Sequence, residues 1–69
     1  MYDASRLRRA MDARGFGRGD LVRATGFSYG AVTAWFTGER RPTVDKLCRI
    51  CEVLGVSADY LLGLAGDAR

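Results

Sequence analysis

Glycine does most to limit what this chain can become. Gly15, Gly17, Gly26, Gly38 and Gly55, together with Pro42, divide the sequence into five short stretches. Gly and Pro interrupt regular structure, so no element extends far. Within the stretches the apolar residues recur at helical spacing, and no strand-like alternation survives the division. The sequence therefore predicts an all-α fold of five short helices. Its 69 residues suffice for one domain, spanning 1–69, because a core of this size is already marginal and cannot be divided.

The first helix is expected after Asp3, a good N-cap, with Leu7, Ala10 and Met11 on one face, Arg6, Arg8, Arg9, Asp12 and Arg14 mainly outside, and Gly15 as its end. A second runs from Arg18 to Thr25 with Leu21 and Ala24 inward, and Gly26 stops it. A third begins after Ser28 and reaches about Thr37, carrying Val32, Trp35 and Phe36, before Gly38. Thr43 and Asp45 open a fourth, with Val44, Leu47, Ile50, Cys51 and Leu54 as its apolar positions and Gly55 as its close. Ser57 and Asp59 open a fifth, containing Tyr60, Leu61, Leu62 and Leu64.

The informative segment is 18–37, two short helices joined by a turn at Gly26-Phe27-Ser28. Burial of Leu21, Phe27, Val32 and Trp35 would project the second helix of the pair outward. A helix so presented fits the DNA major groove, roughly 12 Å wide, if its outer side chains are not bulky and apolar. Ser28, Tyr29, Gly30, Thr33, Ala34 and Thr37 meet that condition.

These residues, with Gly38-Glu39-Arg40-Arg41-Pro42-Thr43, Leu54-Gly55-Val56-Ser57 and Asp59-Tyr60-Leu61-Leu62, make residues 5–63 resemble the Cro and phage-repressor-like helix-turn-helix family, also called the xenobiotic-response-element family. The resemblance implies a compact five-helix lambda-repressor-like domain that binds double-stranded DNA. It places Ser28, Tyr29, Gly30, Thr33 and Ala34 at base-reading positions and the helix starting at Arg18 on phosphate. Arg18 stands where the family usually has Gln, which keeps a phosphate donor with different geometry. Phe36-Thr37 replace a common Glu-Asn pair before Gly38. Tyr29 and Gly30 replace residues with greater hydrogen-bonding capacity, leaving specificity to Tyr29, Thr33, contact with thymine methyls and DNA shape.

Charge supports the same partner. Residues 1–41 hold eight arginines against Asp3, Asp12, Asp20 and Glu39, a balance of +4, whereas residues 42–69 hold three basic against four acidic side chains. Arg40 and Arg41, just beyond the reading helix, are candidates for phosphate or minor-groove contact with Arg18 and Thr37; the alternative is two solvated loop charges. For Arg6, Arg8 and Arg9 a solvated helix face is the preferred reading. Tyr29 has two readings, exposure to DNA or packing onto Phe27 or Phe36.

Other functions find little support. With no His and two cysteines, Cys48 and Cys51 cannot close a four-ligand zinc site in one copy, and Cys51 falls on a buried helical face. No metal, cofactor or small-molecule substrate is expected. The carboxylates stand at helix starts and no Ser or Cys has a base nearby in sequence, so the chain reads as a non-enzyme. The glycines at 15, 17 and 19 follow no strand, and Arg18-Gly19-Asp20 lies at a helix start, so neither suggests nucleotide binding or adhesion. No apolar run approaches a membrane span and no signal-peptide core precedes the first helix, which implies a cytoplasmic, nucleoid-associated location.

The sequence thus predicts a transcriptional regulator, a repressor by its resemblance, that reads a pseudo-palindromic operator as a homodimer. Tyr60, Leu61, Leu62 and Leu64 exceed what so small a core needs and are expected at the dimer interface. Two alternatives stay open: a protein-interaction module such as an antitoxin or anti-repressor on the same fold, and the DNA-binding part of a longer regulator.

Overall fold

The computed structural model describes residues 1–64, in which five helices and no strand are found. Asp67 and Arg69, counted above in the C-terminal charge balance, lie outside the described residues. The elements are α1 (Ala4–Ala13), α2 (Arg18–Thr25), α3 (Tyr29–Thr37), α4 (Val44–Leu54) and α5 (Ala58–Leu61). Local chemistry accounts for their starts. The Asp3 carboxylate accepts the Ser5 N–H at 2.9 Å, the Ser28 hydroxyl accepts the Ala31 N–H at 3.1 Å, and the Ser57 hydroxyl accepts the Tyr60 N–H at 3.1 Å. Each bond satisfies a donor that the helix leaves unpaired in its first turn.

The core forms where the apolar stripes converge. Leu7 and Met11 of α1, Leu21 of α2, Val32 and Trp35 of α3, Leu47, Ile50 and Leu54 of α4, and Leu61 of α5 belong to one buried cluster. The α2 and α3 helices pack together, α1 covers α3, α4 closes over α2, and α5 fills the end between α1 and α4. Phe27, in the turn, sets its ring edge-on to Trp35 with centroids 5.5 Å apart, an arrangement favoured by the ring quadrupoles. The chain ahead of α1 is tied in as well: the Asp3 N–H reaches the Leu61 carbonyl at 2.9 Å and the Tyr2 hydroxyl donates to the Trp35 carbonyl at 2.7 Å. Burial drives the Tyr2 phenol well above its ordinary pKa.

Several sequence expectations need correction. Tyr60 and Leu61 are core residues, because the four-residue α5 turns them inward under α1 and α4; of the expected dimer-forming group only half-buried Leu62 and Leu64, 71% exposed, retain accessible surface. The fifth helix stops at Leu61, so Leu62 and Leu64 follow it. Val44 opens α4 before that helix reaches the core and is 75% exposed. Ala24 faces solvent, since Leu21 alone supplies the fully buried position of α2. Arg6 is half-buried, its guanidinium 5.0 Å from the Tyr60 ring centroid.

Candidate nucleic-acid interface

The turn between α2 and α3 is built by a short run of local bonds. Gly26 ends α2 at φ 79°, a left-handed conformation that a residue with a Cβ adopts only under strain, and its N–H returns to the Val22 carbonyl at 2.8 Å. Thr25 reinforces it: its hydroxyl donates to the Leu21 carbonyl at 2.7 Å and accepts the Phe27 N–H at 3.2 Å. Ser28 then starts α3 in a new direction. Val32 and Trp35 hold the back of that helix in the core, so the residues about a third of a turn or more away face outward.

At its far end α3 closes on Gly38, φ 87°, where an added Cβ would lie 3.3 Å from the Cβ of Ala4. The Ala34 carbonyl accepts from the N–H groups of Gly38 at 3.1 Å and Arg40 at 3.2 Å, and from the Thr37 hydroxyl at 3.2 Å. This folds the basic loop back along the helix and holds the Arg40 backbone beside it.

The outer face of α3 is uncharged and partly open. Ser28, Tyr29, Gly30 and Thr37 are exposed; Tyr29, at 54%, lies outside the core and not folded into it. Ala34 departs from the expectation of an open reading position. Only 9% exposed, it is sheltered on the side of α3 that meets the loop. Thr33 is half-buried, and its hydroxyl oxygen is withdrawn from solvent with no hydrogen-bond partner, so in this state it does not present that hydroxyl outward.

Two grooves flank the helix. One, about 610 Å³, runs between α1, the start of α2 and α3, and its walls include Arg8, Arg9, Arg18, Tyr29 and Phe36. The other, about 510 Å³, lies between α3, the loop and the start of α4, with Gly30, Ala34, Arg40, Arg41 and Lys46 among its lining. Asp12 borders the first and Glu39 the second, so basic side chains outnumber carboxylates in each. Among the described residues, the side chains of Arg9, Arg18, Arg40 and Arg41 have neither a hydrogen bond nor an ion pair. Their donors are unspent in positions bordering an exposed helix, which is the disposition expected of a surface that meets phosphate.

Other charges are already committed. Asp20 accepts the Gly17 N–H at 2.7 Å and pairs with Arg23, and these two contacts, the backbone one foremost, hold its carboxyl below the ordinary range. Arg49 donates to the Ala24 carbonyl at 3.5 Å and lies 3.9 Å from Glu52. Cys51 is buried and Cys48 exposed; burial first, and Cys48 second, pushes the Cys51 thiol up, away from the reactive thiolate. No group of three or more metal-ligating side chains occurs among the described residues, and no helix there is long and apolar enough to cross a membrane.

Sequence reasoning set Arg8 on a solvated face and Phe36 on the apolar face of α3, and missed the contact between them. The Arg8 guanidinium donates to the Phe36 carbonyl at 2.6 Å and sits 5.8 Å from the centre of that ring, while Arg18 lies 5.3 Å from the same ring and 5.6 Å from the Tyr29 ring. The aromatic residue standing in place of the family's usual Glu was the available signal.

Comparison with known proteins gives two matches. Residues 4–62 match the family described as the helix-turn-helix domain. A 26 kDa repressor protein of Escherichia phage HK022 is 46% identical over 37 residues, covering 54% of this chain. The aligned segment is 16% of the phage protein, so the present chain spans only a small part of its length. No solved structure matches.

Proposed function

We infer from one fact, that this chain belongs to the helix-turn-helix domain family, that it is a DNA-binding transcriptional regulator inserting α3 into the major groove. The observation that carries the reading is an uncharged, exposed first turn on α3 bordered on both sides by guanidinium groups with unspent donors. Ser28, Tyr29 and Gly30 lie nearest the base edges in this reading. Thr33 follows on the same helix and contributes close apolar approach through its methyl group, whereas Ala34, sheltered against the loop, stands back from the bases. Arg18, Thr37, Arg40 and Arg41 meet phosphates.

Repression through a pseudo-palindromic operator is the finer reading. Its support is the similarity to a phage repressor and the accessible apolar surface of Leu62 and Leu64. A two-fold pair of copies joined near this end would present two α3 helices to half-sites about one DNA turn apart.

Selection of bound fragments from a random duplex pool tests the function. A recovered palindrome supports dimeric reading, and no enrichment at low salt overturns DNA recognition. Arg18→Ala is expected to weaken binding to all sequences alike, whereas Tyr29→Ala changes which sequence is preferred. Sedimentation that finds monomer alone, free and on DNA, removes the dimer.

A further inference from the structure

Phe36 is the one ring in the described residues that two arginines from two other helices approach on the interface side. Arg8 comes from α1 and Arg18 from the start of α2, each within cation–π distance. Their two positive charges share one groove with Asp12, whose carboxylate forms an ion pair with neither of them. Arg18 is half-buried yet has no hydrogen bond or ion pair among the described residues, so its five N–H donors are unspent. Arg8 uses a donor on the Phe36 carbonyl, which fixes its guanidinium beside α3 and leaves other donors available. A solvated helix face would instead leave such a side chain free in water. Here the ring and the carbonyl restrict the side chain beforehand, so less conformational entropy remains to be lost when an anion binds.

We propose that Arg8 and Arg18 form a phosphate clamp on one DNA strand, with Phe36 as its positioning residue, so that the DNA footprint extends onto α1. The open groove beside the clamp suits a continuous backbone better than a small ligand, which needs enclosure on most sides. The inference rests on the DNA-binding reading above and adds a contact that reading does not require.

The test uses the full chain and a mixed-sequence duplex of roughly 30 base pairs, with affinity measured by fluorescence anisotropy between about 50 and 200 mM salt. Each phosphate contact contributes about 0.9 to the slope of log affinity against log salt, so Arg8→Gln should lower the slope by about that amount and weaken binding roughly fivefold to tenfold near 0.1 M. Phe36→Leu keeps an apolar side chain but removes the π face, and should weaken binding. In that background Arg8→Gln should cost distinctly less than in the wild type, while Phe36→Tyr, which retains the ring, should bind as the wild type does. Arg49→Gln, an arginine already engaged on α4, is the control and should change little. Thermal melting verifies that each variant folds; should Phe36→Leu fail to fold, Phe36→Met, which also lacks a π face, takes its place in the same pairing with Arg8→Gln.

An unchanged slope for Arg8→Gln, on a duplex the wild type binds, overturns the clamp and leaves the wider function standing. Fully additive effects of Arg8→Gln and Phe36→Leu overturn the positioning role. Failure of the wild type to bind any duplex overturns the DNA-binding reading and the clamp with it.

Discussion

Helices α3 and α4 are of similar length and share one core, yet their outer faces are finished in opposite ways. The α4 helix buries Leu47, Ile50, Cys51 and Leu54 and turns Asp45, Lys46, Arg49 and Glu52 to solvent, where Arg49 and Glu52 approach each other on the helix itself. The α3 helix contains no charged residue: its outer face is Tyr29, Gly30 and Thr37, and the cations around it come from α1, α2 and the following loop. A helix that carries its own charges is complete in water. One whose electrostatic surroundings are supplied by neighbours can be closely approached by another molecule without losing ion pairs of its own.

The contrast can be broken most severely from the α4 side. Ile50 is fully buried, so Ile50→Ala should lower unfolding stability by about 2–5 kcal/mol, measured by urea denaturation, with no preferential loss at α3. Ser28→Ala removes the cap that starts α3 and should cost about 1 kcal/mol, with amide exchange accelerating first in the opening turn of that helix. Gly30→Ala works in the other direction. A Cβ there meets nothing within 4 Å, so helix propensity should raise stability by about 0.5–1 kcal/mol, and a loss would show that the outer face is less open than its geometry indicates.

The smallest effect is expected with pH. The Asp3 carboxyl is held low by the Ser5 hydroxyl and N–H, and that of Asp20 by the Gly17 N–H and Arg23. A folded-state pKa depressed below the ordinary value gives stability that is present above that value and lost as pH falls through the folded one. The melting temperature should therefore decline below about pH 4, and Asp20→Asn should flatten the decline.

The helices were legible because their signals are local. Asp3, Ser28 and Ser57 cap where they stand, and Gly26 and Gly38 terminate α2 and α3 as their placement implied. Facing was less legible. Val44 and Ala24 lie on the solvent side although periodicity placed one on an apolar stripe and the other inward, because only the packing of neighbouring helices decides where a stripe ends. Tyr60 and Leu61 misled for the same reason: an apolar tail beside a small core looked surplus until α5 folded beneath α1 and α4. At the site, Arg18, Arg40 and Arg41 could be singled out from sequence, but the convergence of Arg8 and Arg18 on Phe36 joins residues far apart in the chain and has no local signature.

Trp35 is the chain's single tryptophan, 4% exposed on the inner side of α3, with the Phe27 ring edge-on to it and the Lys46 ammonium 6.0 Å away. Its indole consequently acts as a built-in optical gauge of how α3 is seated: emission should be short-wavelength while the helix is docked and shift to the red when it lifts. Because the ring lies behind the face offered to a duplex, a DNA titration that leaves the colour of this emission constant would show the helix binding as a rigid, preassembled unit.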